Sequence, residues 1–316
     1  MVRILLSRAA AASIEPQLVA LPVTPVYLGE DPPDDLEVAW ASTDVLWDHD
    51  LREEMFAAVV AAPAVRWMHT NSSGVEGAAF TELLRRGATV TSSHVHAPII
   101  AEYVLRTVLD WFQRPEEWQA ARRERQWLKH DFREVLGTTW LIVGMGAIGS
   151  EVAVRARAFG TRVIGVRRTP QGDEPVDQLI SPSEVLDLLP AADVVVLAIP
   201  GNAATAGMVD ANFLRLMRKD SVLVNVGRGS LIDEDALRDA LDRGALDAAL
   251  LDVAATEPPP ADSFLWTHPK VVLTPHTSGH GTGIHRRAVE LFADNLARHV
   301  SGEPLLNVEH AGDVSR

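Results

Sequence analysis

The chain has 316 residues, of which 47% are hydrophobic, and its 29 basic and 43 acidic side chains give a formal net charge of −14. This acidity argues against binding to nucleic acid, and an anionic substrate would need a local cationic site. The sequence contains no cysteine, which excludes disulfides, thiol nucleophiles and thiolate metal sites, and no metal site is predicted. Apolar runs stay shorter than the roughly 18 residues of a membrane span, so we expect a cytoplasmic protein without membrane contact.

The length predicts two domains, and the first hundred residues have the pattern of a small α/β domain. Helical sequence follows from about residue 98 to 111, and residues 114–131 are rich in charge and tryptophan, which indicates an exposed helix and loop. The predicted strands of the first domain are Val2–Leu6, Val38–Ala41, Val65–His69 and Thr89–Thr91.

A glycine-rich turn follows the apolar run that ends at Val143. A strand, such a turn and a helix together are typical of dinucleotide binding, because backbone N–H groups at the helix start can bind the pyrophosphate. Helical sequence over residues 151–159 and a second β-like run, Arg162–Val166, complete the start of a βαβ unit. The predicted cofactor contacts in this turn are Gly144, Gly146, Ala147, Ile148 and Gly149.

Further apolar runs after this turn have the continuous character of parallel strands covered on both faces. Ser181 with Glu184 three residues later predicts a helix start, and Asp233 is placed to cap a helix over residues 234–241. A last helix, at about residues 282–300, is expected to return to the first domain. The predicted strands are Val194–Ile199, Val222–Val226, Ala248–Asp252 and Val271–Thr274.

Four polar residues follow or close three of these strands: Arg228, Asp252, Glu257 and His276. In an open parallel sheet, ligands bind beyond the carboxyl ends of the strands. The four side chains are therefore expected to converge at one edge of the sheet, beside the glycine turn.

Three segments resemble the signatures of the D-isomer-specific 2-hydroxyacid dehydrogenases: residues 225–233, residues 251–253 with Glu257-Pro258, and residues 274–279. The glyoxylate/hydroxypyruvate reductase branch matches best in length and character. The resemblance implies an α/β fold of two Rossmann-like domains, with a doubly wound parallel sheet in the cofactor domain and a smaller, flavodoxin-like substrate domain. We expect the substrate domain to comprise residues 1–96 and 283–316, and the dinucleotide-binding domain residues 97–282.

The resemblance implies reduction of small 2-oxo acids, such as glyoxylate or hydroxypyruvate, to D-2-hydroxy acids by hydride transfer. Arg228 would bind the substrate carboxylate, since guanidinium offers a planar fork that matches it. His276 would be the acid in reduction and the base in oxidation, and Glu257 would pair with it and orient its ring.

Other contacts are implied by the same resemblance. Asp252 would receive the nicotinamide carboxamide, while the carbonyl of Pro200 and the backbone of Val226 would line the cofactor. Thr205 matches a cofactor-proximal position, although a simple cap is an equal alternative. From the other domain, the substrate carboxylate would meet backbone N–H groups at Ser73, Gly74 and Val75.

The end of the second strand of the βαβ unit indicates which cofactor is used. NAD-preferring sites place an acid there for the ribose 2′-hydroxyl, whereas this chain has Arg167 and Arg168, which suit a 2′-phosphate. We therefore expect NADP(H) to be preferred and NAD(H) to remain possible.

The resemblance also implies a homodimer in contact over residues 98–140. Substrate size is expected to depend on loops near residues 45–75 and on tryptophans such as Trp47 or Trp127.

The same sequence bears on two alternative functions. A short-chain dehydrogenase needs a tyrosine with lysine four residues later, and neither Tyr27 nor Tyr103 has one. A non-catalytic, nicotinamide-sensing binding protein of the same fold, similar to a corepressor, stays open as the alternative. The three filled positions Arg228, Glu257 and His276 favour an enzyme.

Overall fold

The computed structural model describes residues 1–72, 75 and 77–309. The described residues form two compact units, one of residues up to 96 together with those from 281 onward, and one of residues 97–280. In chain order the strands are β1 (Val2–Leu6), β2 (Val23–Tyr27), β3 (Leu36–Ala41), β4 (Trp67–Thr70), β5 (Thr89–Thr91), β6 (Thr139–Val143), β7 (Arg162–Val166), β8 (Gln178–Ile180), β9 (Val194–Leu197), β10 (Val222–Asn225), β11 (Ala248–Leu251), β12 (Val271–Leu273) and β13 (Val308–Glu309).

Helices connect most of these strands. In chain order they are α1 (Arg8–Ser13), α2 (Glu15–Ala20), α3 (Thr43–Trp47), α4 (His49–Ala61), α5 (Ala78–Arg85), α6 (Ala97–Gln113), α7 (Pro115–Arg123), α8 (Ala147–Ala158), α9 (Val185–Leu188), α10 (Ala211–Leu216), α11 (Glu234–Asp242) and α12 (Ile284–Ser301). Single 3₁₀ turns lie at Pro182–Glu184, Leu189–Ala191, Gly229–Leu231 and Phe264–Trp266.

The first unit is built on one sheet with the strand order β13-β5-β4-β3-β1-β2. The pairs among β1 to β5 are parallel, and β13 pairs antiparallel with β5. The parallel part has the flavodoxin-like order 2-1-3-4-5, as predicted. Helix α12 belongs to this unit, where Phe292 stacks on Trp40 with ring centroids 4.0 Å apart.

The second unit is built on a parallel sheet with the strand order β12-β11-β10-β9-β6-β7-β8. Two apolar clusters cover its faces, and the central strands β9, β10 and β11 are buried along their whole length. The order reverses between β6 and β9, which is the switch point where doubly wound sheets bind ligands. The predicted α/β fold with two Rossmann-like units is confirmed.

Local signals seen in the sequence mostly hold in the structure. Ser181 and Glu184 form a capping box, and Asp233 accepts a hydrogen bond from the N–H of Ala236 at the start of α11. Strands β2, β8 and β13 were missed, and all three lie at sheet edges. Strand β2 carries Pro25, which a central strand does not tolerate but an edge strand does.

Candidate active site

The glycine turn after β6 is shaped by close backbone approach. Gly144 has φ +107°, and a Cβ there would lie 2.5 Å from the carbonyl oxygen of Ala198. A Cβ at Gly149 would lie 1.9 Å from the carbonyl oxygen of Gly144. Side chains at these two positions would therefore push the turn away from β9 and the helix away from the turn.

The start of α8 provides the space and the donors that a pyrophosphate needs. A Cβ at Gly146 would meet no described atom within 4 Å, so this side of the turn is open. No side chain of the described chain caps the helix at Gly146, and the first N–H groups, including those of Ala147 and Ile148, lack intrahelical partners by position. The turn fits a bound dinucleotide by its geometry and by the helix dipole.

The two side chains predicted to act as an acid/base pair are in contact. The Nδ1 atom of His276 lies 2.8 Å from Oε2 of Glu257, and both side chains are partly exposed. His276 has φ +49°, an unusual backbone conformation for a residue with a Cβ, and its N–H donates to the carbonyl of Asp252 at 2.8 Å. With Nδ1 bonded to the carboxylate, Nε2 is the ring atom left to meet a substrate.

A buried network holds the loop that carries His276. The carboxylate of Asp252 accepts hydrogen bonds from Thr274 Oγ1 at 2.6 Å and from the N–H groups of Thr277 and Ser278 at 2.9 Å each. The hydroxyl of Tyr103, on α6, lies 2.7 Å from Thr274 Oγ1 and donates to it, because Thr274 gives its own proton to Asp252. Burial raises the pKa of Tyr103, so the phenol keeps its proton.

Three of the roughly four acceptor positions of the Asp252 carboxylate are therefore used within the protein. The predicted contact with a nicotinamide carboxamide stays a prediction, and one acceptor position remains for it. The sequence did not reveal the hydrogen bonds that Tyr103, Thr274 and Ser278 form in this network.

Arg228 is exposed and forms no ion pair with the described part of the chain. Its NH1 group donates only to the neighbouring carbonyl of Gly227, at 2.9 Å, while Asn225 bonds to the carbonyl of Arg228 at 2.9 Å. A Cβ at Gly229 would lie 1.9 Å from the carbonyl carbon of Ala254, so glycine is required by close packing. Arg228 itself has ordinary extended backbone angles.

Contacts link the ends of β10, β11 and β12. Gly229 lies against Ala254, the N–H of Ala254 donates to Glu257 Oε1 at 3.2 Å, and Glu257 pairs with His276. Because these strands are neighbours in the parallel sheet, Arg228, Glu257 and His276 share its carboxyl edge. This edge combines an unpaired guanidinium with a carboxylate–imidazole pair.

The other predicted cofactor positions lie at the ends of β9 and β10. Thr205 Oγ1 donates to the carbonyl of Pro200 at 2.9 Å and accepts from the N–H of Asn202 at 2.9 Å. Thr205 therefore closes the turn after β9, which is the capping alternative. Val226 is buried and donates its N–H to the carbonyl of Leu197 at 3.2 Å, so its cofactor contact stays a prediction.

Arg167 and Arg168, the two residues predicted to bind a 2′-phosphate, have different surroundings in the loop after β7. Arg167 donates from Nε to the carbonyl of Thr169 at 2.9 Å and from NH1 to the carbonyl of Met145. Arg168 is exposed and makes no hydrogen bond or ion pair with the described residues. Glu174, a residue that sequence reasoning missed, lies 3.6 Å from Arg167 Nε through its Oε1 atom.

The predicted substrate contacts of the first unit are only partly described. Ser73 and Gly74 lie outside the described residues, and the side chain of Val75 is buried in the core of its unit. Trp47 and Trp127, which we expected to influence substrate size, are both exposed. The roles of all five residues stay predictions.

Comparison with known proteins establishes the family. The sequence model described as "D-isomer specific 2-hydroxyacid dehydrogenase, NAD binding domain" matches residues 105–278. The chain belongs to the D-isomer-specific 2-hydroxyacid dehydrogenase family. It is therefore an NAD(P)-dependent dehydrogenase, and the recognition made on the sequence motifs is confirmed.

Individual relatives and structures agree with this assignment. The chain is 34% identical over 255 residues to a glyoxylate reductase of Thermococcus kodakarensis, covering 77% of this chain and 76% of the relative. It is 30% identical over 215 residues to glyoxylate/hydroxypyruvate reductase A of Klebsiella pneumoniae, covering 68% and 67%. An NADPH-dependent glyoxylate/hydroxypyruvate reductase of Sinorhizobium meliloti, solved with NADP and sulfate, has the same fold, with a TM-score of 0.74, 22% identity and 99% of each chain covered.

The described residues contain neither a membrane-spanning helix nor a metal cluster. No helix in residues 1–72, 75 and 77–309 is long and apolar enough to cross a bilayer. Across those same residues, no group of three or more histidine and carboxylate side chains is arranged to hold a metal ion.

Proposed function

We propose that this protein reduces small 2-oxo acids, such as glyoxylate or hydroxypyruvate, to D-2-hydroxy acids with NADP(H). The observation that carries the proposal is the 2.8 Å pair of His276 and Glu257 on the sheet edge that also bears the unpaired Arg228. The similarity to glyoxylate and glyoxylate/hydroxypyruvate reductases supports the choice of substrate class.

Each residue of this edge has one task in the proposed reaction. Arg228 binds the substrate carboxylate with two parallel N–H groups and so places the 2-oxo group. When bound, the reduced nicotinamide supplies a hydride to the carbonyl carbon. His276 donates a proton from Nε2 to the carbonyl oxygen, which completes the hydroxyl. Glu257 holds Nδ1 and stabilises the charged ring before it gives up the proton.

Steady-state assays with both reduced cofactors and with glyoxylate and hydroxypyruvate test the reaction directly. Arg228→Ala should lower kcat/KM for the oxo acid by about 10²- to 10³-fold, because two charge-assisted hydrogen bonds are lost. Its NADPH dissociation constant should be little changed. Arg238→Ala, which removes an exposed arginine from α11, is the matched control and should leave both quantities unchanged.

Two outcomes would contradict the proposal. Binding of reduced cofactor without turnover of any 2-oxo acid would favour the nicotinamide-sensing alternative. Equal loss of cofactor binding and substrate use in Arg228→Ala would remove the carboxylate role of Arg228.

The preference for NADP(H) over NAD(H) is part of the proposal. It is supported by the two arginines that follow β7 and by the absence of an acid at residues 167 and 168. The ratio of kcat/KM with NADPH to that with NADH measures it. Arg168→Ala should lower this ratio, and an unchanged ratio would refute the assignment.

We further assign cofactor binding to the domain of residues 97–282 and substrate contacts to residues 1–96 and 283–316. The enzyme is proposed to act in the cytoplasm, where reduced nicotinamide cofactor is available, and to form a homodimer. Exposed apolar side chains in the segment between α7 and β6 support the dimer: Trp127 is 91% exposed and Leu136 68%, with Leu128 and Phe132 also exposed. Sedimentation of the wild type and of Leu136→Glu tests it, and a monomeric wild type would refute it.

A further inference from the structure

The loop of residues 167–174, directly after β7, contains a carboxylate beside the cations predicted to bind a 2′-phosphate. Oε1 of Glu174 lies 3.6 Å from Nε of Arg167, and the Glu174 side chain is only 4% exposed. This carboxylate is held in place by the loop itself, because it accepts the N–H groups of Gln171 at 2.7 Å and Gly172 at 2.9 Å.

Glu174 is therefore a fixed negative charge. The hydrogen bond from the Gln171 N–H lowers the pKa of Glu174 most, and the Gly172 N–H and the charge of Arg167 lower it further. The side chain is ionised at neutral pH. Its oxygens face the N–H groups of the loop and the Arg167 side chain and are shielded from solvent.

Arg167 is partly committed to contacts within the protein. Nε donates to the carbonyl of Thr169 and NH1 to the carbonyl of Met145, so two of its five N–H donors are used within the described chain, and its charge is offset by Glu174. Arg168 differs, since it is exposed and unpaired within the described chain. The two adjacent arginines thus differ in their contacts, a difference that the sequence does not predict.

The position of the loop connects it to the cofactor. Met145, whose carbonyl Arg167 binds, is the residue between the two glycines at 144 and 146. In a Rossmann-type unit the end of the second strand lies next to the adenosine ribose, where the 2′-substituent is recognised. A bound 2′-phosphate would therefore lie close to both the cations and the Glu174 carboxylate.

We propose that Glu174 is a specificity-determining residue that weakens discrimination in favour of NADP(H), with Arg168 supplying the main contact to the 2′-phosphate. The Glu174 carboxylate offsets Arg167 and repels a phosphate, whereas it has no such effect on a ribose hydroxyl. The wild-type chain consequently uses both cofactors, and removal of the Glu174 charge makes it more selective. This inference deepens the proposed use of NADP(H) at the same site.

Glu174→Gln is the direct test, and Asp173→Asn is its matched control, because Asp173 is an exposed acid in the same loop with no partner among the described residues. Dissociation constants for NADPH and NADH are measured by fluorescence titration without any oxo acid. Glu174→Gln should tighten NADPH binding by about 10-fold, the effect of one nearby charge, and leave NADH binding nearly unchanged. Asp173→Asn should change neither by a comparable factor.

A ratio of the two constants that stays at its wild-type value in Glu174→Gln, with an unchanged melting temperature, would overturn the proposal. An equal change in Asp173→Asn would also overturn it, since the effect would then be one of general charge.

A second pair of variants covers the case in which Glu174→Gln loosens the loop and weakens both cofactors. In the wild-type background, Arg168→Ala should weaken NADPH binding by about 10-fold with NADH little affected. Arg167→Ala should alter the NADPH-to-NADH ratio less than Arg168→Ala does. The reverse order would overturn the proposal.

These measurements separate the inference from the proposed function. Failure to reduce any 2-oxo acid would refute the reaction, yet the binding ratio would still report on Glu174. Conversely, an active reductase with an unchanged ratio in Glu174→Gln would keep its function and lose only this residue's role.

Discussion

Two histidines, each at the carboxyl end of a parallel strand, have opposite surroundings. His69, on β4, is fully buried between aromatic rings, and its Nδ1 lies 2.7 Å from Thr91 Oγ1. Its Nε2 has no hydrogen-bond partner among the described residues. His276, after β12, is half-exposed, pairs with Glu257 and has a left-handed backbone conformation.

The comparison teaches that the environment, and not the residue type or its place on a strand, decides which histidine can transfer protons. Burial lowers the pKa of His69 to about 3, so the ring stays neutral and packs as part of the core. His276 has an anionic partner on one nitrogen and access to ligand on the other, which is what acid/base work requires.

Replacing each histidine by glutamine tests the difference between His69 and His276 and should give the largest effect. His276→Gln should lower kcat for reduction by about 10²- to 10⁴-fold, because the proton donor to the carbonyl oxygen is lost. His69→Gln should change kcat far less, since the ring is remote from solvent and uncharged. Steady-state kinetics with the same 2-oxo acid decide the matter, and comparable losses in both variants would contradict the contrast.

Burial of His69 should make the free energy of unfolding depend on pH in the acid range. The unfolded chain takes up a proton at this residue below about pH 6.5, whereas the folded chain does so only near pH 3. The contribution of neutral His69 to the free energy of unfolding is therefore fully present above pH 6.5. It is lost as the pH falls toward 3, by about 5 kcal/mol in total.

Denaturant unfolding at neutral pH and at about pH 4.5 measures this contribution, which should be about 3 kcal/mol over that interval. The loss on acidification should be smaller by this amount in His69→Gln than in the wild type. His285→Gln, at an exposed position of α12, is the control. Identical pH dependence in wild type and His69→Gln would show that burial of His69 does not destabilise the folded state in acid.

Glu257→Gln tests the pairing with His276. Glutamine keeps the size of the side chain but replaces the carboxylate that faces Nδ1 with a neutral amide, so kcat for reduction should fall by roughly 10-fold or more. Steady-state kinetics with the same 2-oxo acid are the measurement. An unchanged kcat would refute the proposed role of the pair.

The smallest expected effect concerns the network behind His276. Thr274→Val keeps the shape but removes one hydrogen bond to Asp252 and one from Tyr103, so kcat should fall by about 10-fold through misplacement of the His276 loop. Tyr103→Phe, which spares the bond to Asp252, should have a weaker effect. If Thr274→Val lowers the melting temperature but leaves kcat and the pH profile intact, the network is structural only.

All the strands that the sequence did not reveal lie at sheet edges, although one edge strand, β12, was predicted. Central strands such as β9, β10 and β11 are buried on both faces, which produces continuous apolar runs that identify them without any structure. The strands β2, β8 and β13 lie at edges, where such runs are not required and even Pro25 is tolerated. The glycine turn was equally visible, because its spacing follows from close contacts within a few residues.

The sequence by itself determined the two α/β units, the dinucleotide turn and the placement of Arg228, Glu257 and His276 on one sheet edge, since these follow from local periodicity and from residues at strand ends. Only the tertiary structure decided how the donors and acceptors are distributed. Tyr103 and Thr274 are 171 residues apart in the chain, and the unequal state of Arg167 and Arg168 depends on the fold of a loop around Glu174. Hydrogen bonds of this kind join atoms that no local pattern brings together, so their partners emerge only when the chain has folded.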